Sequence, residues 1–138
     1  MNMQPTPTTV SIIIPAYNPG RYIEFALESI RAQSVRPFEV IIIDDGSLPP
    51  VSVDAFGDSP IRLLRQENAG QAAARNRGIR EARGTWLAFL DADDVWHPRK
   101  LERQLRAAEA HPEAAIIGCR AVLVDAGGSV IGAGPGGV

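Results

Sequence analysis

The stretch Trp86-Leu87-Ala88-Phe89-Leu90 is apolar throughout and then stops in Asp91-Ala92-Asp93-Asp94. A short apolar run bounded by polar residues suits a strand buried on both faces. The acids then fall where that strand leaves its sheet, and open α/β sheets bind ligands outside the carboxyl ends of their strands. Acids this close repel one another, by about 4 kcal/mol for two unit charges ~4 Å apart near a protein surface. A divalent cation removes that penalty, and oxygen-only donors favour a hard ion such as Mg²⁺, Mn²⁺ or Ca²⁺. The competing reading is that the acids cap the following helix and face water.

A chain of 138 residues suits one domain, and its 45% apolar and 22% charged composition is that of a globular protein. A net charge of −2 gives no reason to expect nucleic acid as a partner. The single cysteine, Cys119, rules out an internal disulfide and any Cys/His metal cluster. Its neighbours Ile116-Ile117-Gly118 suggest a buried structural thiol. No apolar run approaches the ~18–20 residues that cross a bilayer. The Pro/Thr-rich start lacks the apolar core of a signal peptide. The expectation is a cytoplasmic protein.

Residues 1–8 read as a flexible tail. Val10-Ser11-Ile12-Ile13-Ile14-Pro15 is β-branched and ends at proline, which predicts a buried first strand. Asn18 is placed to cap a helix with Pro19 in its first turn. That helix is expected to run to about Gln33, with Ile23, Ala26, Leu27 and Ile30 on one face. Phe38 to Ile43 predicts a second strand ending in Asp44-Asp45-Gly46-Ser47, which completes a βαβ unit with parallel pairing. Pro49-Pro50 interrupts the next segment, where only Val53 to Phe56 suits a turn. Ile61 to Arg65 gives a third strand, and Gln71 to Arg83 a helix stopped by Gly84. The opening strand, Thr85 to Leu90, follows. His97-Pro98 begins a helix through about Ala110; Ala114 to Val124 then predicts a fifth strand. Asp125-Ala126-Gly127-Gly128 turns into Ser129-Val130-Ile131, and a Gly-rich end follows. The whole is an α/β sandwich with a mainly parallel sheet.

Two strands therefore end in acids, and parallel strands bring their exits to one edge. Both acid groups and the loop Pro15-Ala16-Tyr17-Asn18 should meet at a single crevice. Taken alone, Asp44-Asp45-Gly46-Ser47 is equally a good turn sequence. In Asn68-Ala69-Gly70-Gln71-Ala72-Ala73-Ala74-Arg75-Asn76-Arg77-Gly78, Gly70 stands at a helix N-terminus, where free N–H groups favour an anion. Arg75 or Arg77 is placed to reach a phosphate or to pin one of the Asp carboxylates. Ala72, Ala73 and Ala74 suggest close helix–sheet packing. His97 and His111, each before a proline, suit helix boundaries rather than catalysis, and Trp86 and Trp96 suit packing around the acid loop.

These stretches together carry a resemblance. VSIIIPAYN (10–18), VIIIDDGS (40–47), NAGQAAARNRG (68–78) and LDADD (90–94) stand in the order and spacing of family 2 glycosyltransferases of the GT-A fold. The resemblance covers roughly residues 9–125, leaving residues 126–138 as a hairpin remnant and Gly-rich tail. It implies a Rossmann-like three-layer sandwich that binds a nucleotide-diphosphate sugar (UDP-, GDP- or dTDP-linked) with Mg²⁺ or Mn²⁺ for inverting transfer to an acceptor. Carried over by position, Pro15, Ala16 and Tyr17 border the base, and Asp44 binds it with Asp45 nearby. Arg75 supports the nucleotide or the acids. Asp91 faces ribose and metal, Asp93 ligates the metal, and Asp94 caps the next helix. No residue matches the family's acidic general base, which lies in a later half. The expectation is thus a truncated, donor-binding half with no catalytic residue of its own, weak in nucleotide binding and inactive in transfer.

Three other readings compete. A receiver domain has the same length, alternation and strand-end Asp residues, but needs an early acidic pair and a lysine near its last strand; here the first strand ends in Pro15 and Lys100 sits in a helix. A phosphatase of the haloacid dehalogenase type uses strand-Asp-x-Asp near its N-terminus followed by Gly-Thr, where this chain has Asp94-Val95. The third class is a non-catalytic assembly module, with an exposed sheet edge as a homodimer surface.

Overall fold

A computed structural model describes residues 8–134. The expected tail, apart from Thr8, and the last four residues of the Gly-rich end lie outside them. The chain divides into two compact units, one ending at Arg99 and the other beginning at Lys100.

The first unit is built on one parallel sheet. β1 (Val10–Ala16) pairs with β2 (Glu39–Asp44) on one side and β4 (Trp86–Phe89) on the other, and β2 pairs with β3 (Ile61–Arg65), giving the order β3-β2-β1-β4. β1 and β2 are buried along their whole length, as their unbroken β-branched runs require. α1 (Tyr22–Arg31) buries Ile23, Ala26, Leu27 and Ile30, the expected face. α2 (Gln71–Glu81) packs on β1 and β2, with Ala74 against Ile41 and Ile43. A single 3-10 turn, Asp54–Phe56, occupies the Pro-interrupted segment and buries Phe56.

Two details set this packing. At Gly78 a Cβ would lie 2.4 Å from Ile13 Cγ2, so only glycine lets α2 approach β1 this closely. The close contact thus runs through Ala74 and Gly78, both buried, whereas Ala72 is exposed. At the amino-terminal edge of the sheet, buried Glu39 gathers the surrounding segments. It accepts from Ser11 Oγ at 2.8 Å, from the Arg83 N–H at 2.7 Å and from Arg62 Nη1 at 3.1 Å. Arg62 continues to the Glu81 carboxylate at 2.9 Å. Burial alone would raise the Glu39 pKa, but the bonds from Ser11, Arg83 and Arg62 together hold it below the ordinary range.

Several expectations are corrected. β4 is not buried on both faces: it is an outer strand, and Leu87 and Phe89 are 38% and 46% exposed. α1 starts at Tyr22 rather than Pro19, because Asn18 adopts a positive φ of 46° and turns its side chain to another task. α3 (Lys100–Ala110) begins six residues past Asp94, which therefore does not cap it. The ring of His97 instead accepts the Arg99 N–H at 3.1 Å.

In the second unit, β5 is only Val122–Val124, and it pairs antiparallel with β6 (Val130–Ala133). The turn between them falls at Asp125–Gly128 as expected, with Asp125 Oδ1 accepting from the Gly127 and Ser129 N–H groups. The apolar residues 114–121 have no strand partner among the described residues, so their composition does not become a strand. Cys119 is exposed, not buried. Among the described residues no helix is long and apolar enough to cross a membrane.

Two stability outcomes follow from these contacts. Gly78→Ala should lose about 1–2 kcal/mol in urea unfolding, because overpacking against Ile13 outweighs alanine's better helix propensity; an unchanged midpoint would contradict the close approach. Glu39→Gln should cost about 2 kcal/mol at neutral pH, the scale of hydrogen bonds to a charged group. Since the Glu39 pKa is depressed in the folded state, its contribution is present above the unfolded value near pH 4 and lost as pH falls through the folded one. The melting temperatures of wild type and Glu39→Gln should therefore converge on acidification; a constant gap would count against it.

Candidate functional site: a cavity at the sheet's carboxyl edge

All four strands of the sheet are parallel, so β1, β2, β3 and β4 leave it at one edge. The order β3-β2-β1-β4 reverses direction between β1 and β4, the point where an open sheet leaves a crevice. A cavity of about 520 Å³ lies there, within the size range of small-molecule sites. Its walls are Pro15 to Pro19 and Tyr22 after β1, Asp45 after β2, and Asn68, Gly70, Gln71 and Ala74 around the start of α2. Asp91, Ala92 and Asp93 after β4 complete it. The expected meeting of acid groups occurs, although only one of the first pair takes part.

Asp45 faces the cavity and Asp44 does not, because neighbouring residues at a strand end point to opposite sides. Asp44 is 1% exposed. Its carboxylate accepts the Ser47 N–H at 2.9 Å, the Val51 N–H at 3.2 Å and Arg65 Nη1 at 2.6 Å. Burial would raise its pKa; the Ser47 hydroxyl and N–H, the Val51 N–H and the Arg65 charge prevail and lower it. Asp45 accepts from the Ala69 and Gly70 N–H groups, each at 2.9 Å, and from Gln66 Nε2 at 2.7 Å. Burial again opposes ionisation, and these three donors lower the pKa despite repulsion from Asp44. Both acids are thus charged and held rigidly. At the entry to α2 the protein thus supplies an anion of its own, Asp45, to the Ala69 and Gly70 N–H groups. Gly70 serves it with a φ of 91°, which glycine adopts without strain.

Across the cavity, Arg75 Nη2 pairs with Asp91 Oδ1, which also accepts from Gln71 Nε2 at 3.3 Å. Arg75 therefore pins an acid, one of its two expected roles, and its buried Nε has no hydrogen-bond partner. Arg77 instead donates to the Arg65 carbonyl at 2.7 Å. Asp93 is exposed at the rim, and the described residues offer its carboxylate no hydrogen bond. Partial desolvation and the charges of Asp93 and Asp91 push the Asp94 pKa up, so negative charge is in excess on this loop.

That excess fits a divalent cation held by few protein ligands. Among the described residues no group of three or more His, Cys, Asp and Glu side chains could cage a metal alone. Asp91 and Asp93 supply oxygen donors from one tight loop, and a hard ion such as Mg²⁺ commonly takes one or two carboxylates plus phosphate and water. Sequence reasoning missed Arg65, Gln66 and Gln71. The first two stand at the exit of β3, and the parallel edge that located the acids points to them as well.

Residues 11–129 match the sequence model described as Glycosyl transferase family 2. The chain belongs to this family. Membership displaces the receiver and dehalogenase-type readings. An uncharacterized glycosyltransferase of Haemophilus influenzae is 42% identical over 104 residues, 75% of this chain and 35% of that protein. One from Rickettsia felis is 44% identical over 105 residues, 74% of this chain and 17% of its own length. The chain thus spans about a third or less of these family 2 relatives. Among solved structures, the mannosyltransferase PcManGT of Pyrobaculum calidifontis, in complex with GDP-Man and Mn²⁺, has a TM-score of 0.63 at 25% identity. That match covers 88% of this chain and 37% of PcManGT. S. aureus TarS 1–349 in complex with UDP has a TM-score of 0.67 at 24% identity, over 76% of this chain and 33% of TarS. These neighbours establish the GT-A glycosyltransferase fold for this family 2 chain.

Proposed function

We propose that this chain carries the donor site of an inverting, metal-dependent glycosyltransferase and binds a nucleotide-diphosphate sugar in the cavity between β1 and β4. The observation that carries the reading is the presence of Asp45, Asp91 and Asp93 around one cavity at the switch point. The complexes named for PcManGT and TarS support it, since both hold nucleotides and one holds Mn²⁺.

In this reading Pro15, Ala16 and Tyr17 border the base. Asp45, whose Oδ2 accepts one described hydrogen bond, presents a charged acceptor towards it. Asp44 contributes from behind, by fixing the loop that follows. Asp91 is oriented by Arg75 and Gln71 towards ribose and metal, and Asp93 is the freer metal ligand. A bound Mg²⁺ or Mn²⁺ would stabilise the negative charge that grows on the departing nucleotide diphosphate. The acceptor and the residue that activates it are not assigned to this chain.

Melting temperatures with UDP-, GDP- and dTDP-sugars, each with and without Mn²⁺, test the proposal. A ligand that binds only the folded state stabilises it by about 2.7 kcal/mol at a hundredfold excess over Kd. One base should raise the melting temperature by several degrees with Mn²⁺, and Asp93→Asn should remove the metal-dependent part. No stabilisation by any of the three, or full Mn²⁺ dependence in Asp93→Asn, would overturn it.

A further inference from the structure

Tyr17 is 59% exposed, yet the backbone on either side of it is tied down. On the near side, the Asp45 N–H donates to the Ala16 carbonyl at 2.8 Å. On the far side, the Asn18 N–H donates to Ser47 Oγ at 2.9 Å, and Asn18 Oδ1 accepts the Leu48 N–H at 2.8 Å. The two loops that leave β1 and β2 are thus joined by a reciprocal pair of bonds next to an aromatic ring on the cavity wall. Asn18 takes a left-handed conformation, φ 46°, to make them, and asparagine tolerates that region better than most residues.

Ser47 is itself fully buried and fixed. Its N–H donates to Asp44 Oδ1, its hydroxyl hydrogen-bonds to the Asp44 carboxylate, and its carbonyl accepts Arg65 Nη2 at 2.9 Å. The same hydroxyl oxygen accepts the Asn18 N–H. A chain of bonds therefore runs from a buried carboxylate, Asp44, through Ser47 and Asn18 to the loop that bears Tyr17.

We infer that the Asn18–Ser47 pair is a positioning latch, which holds Tyr17 as a preformed wall for the base of the bound nucleotide. The inference rests on the donor-site reading above and deepens it. It also gives Asp44 work that needs no contact with ligand: the acid is the anchor of the latch. Without the latch the loop must be ordered at the moment of binding, and that cost falls on affinity for the base rather than on the diphosphate end.

The test measures Kd by calorimetry for UDP, GDP and dTDP, and for inorganic pyrophosphate, all with Mn²⁺, on wild type, Asn18→Gly, Ser47→Ala and the double variant. Asn18→Gly keeps the positive φ accessible and removes the bond to Leu48 together with one side chain of the cavity wall. Ser47→Ala, outside that wall, removes the acceptor of the Asn18 N–H and leaves the lining intact, so its result decides between the latch and a direct contact of Asn18. The expected result is about tenfold weaker binding of the preferred nucleotide in each single variant, with no more than a twofold change for pyrophosphate. The double variant should be no weaker than the worse single one, the signature of one coupled unit. General loosening of the fold would weaken nucleotide and pyrophosphate alike, and that outcome would overturn the latch. Unchanged nucleotide affinity in both single variants would overturn it while leaving the donor site standing. Failure of wild type to bind any of UDP, GDP and dTDP would overturn both.

Discussion

The carboxylate of Asp45 joins the exit of β2 to the N–H groups of Ala69 and Gly70, the two residues that lead into α2. The start of a helix leaves several N–H groups without intrahelical partners, and they carry the positive end of its dipole. Here the N-cap, Gly70, has no side chain to serve them; the Asp45 carboxylate instead binds the N-cap N–H and that of Ala69 before it, and sets its charge at the positive end of the dipole. That one long-range bond set fixes where α2 begins relative to the sheet. It therefore fixes Gln71 and Arg75, one turn apart on α2, and through them Asp91 at the end of β4. The exits of β2 and β4 become one rigid rim.

Charge is handled in two opposite ways around the sheet. At the amino edge, Glu39 is buried and its oxygens are matched by Ser11, Arg62 and Arg83. Asp44, at the carboxyl edge, is likewise filled by the protein, and Asp45 is held by three donors while its Oδ2 keeps room on the cavity side. Breaking such an arrangement leaves an uncompensated buried charge, so these acids hold the architecture in place. Asp93 and Asp94 differ. They are exposed, crowd one another, and receive no ion pair among the described residues 8–134, which is where a ligand bringing its own positive ion gains the most.

Much of this was legible from residue order alone. Unbroken β-branched runs in Val10 to Pro15 and Val40 to Ile43 identified the central strands, and the i, i+3, i+4, i+7 pattern identified the buried face of α1. The parallel edge followed from the βαβ alternation, and with it the grouping of Asp45, Asp91 and Asp93. Other features were hidden because they depend on partners distant in sequence. Periodicity shows that a residue favours a strand but not that a neighbouring strand exists, so Ala114 to Ala121 was misread, and the outer position of β4 was invisible. Asn18 fits a capping motif locally, yet its bonds to Ser47 and Leu48 cross 29 and 30 residues.

The two adjacent acids Asp44 and Asp45 show why a motif is read best one residue at a time. In sequence they are equivalent, and either suits a ligand. A strand end separates them, one turned inward to Ser47, Val51 and Arg65, the other to the cavity and the start of α2. Replacing Asp44 would disturb the loop after β2 and only then the cavity, whereas replacing Asp45 would release α2 and alter the cavity wall directly. Loss of binding in both cases would look alike in an activity assay, although the causes differ. The physical distinction lies in burial and hydrogen-bond partners: a carboxylate whose acceptors are filled by an enclosed loop acts through that loop, and only one that borders open space can meet a ligand itself.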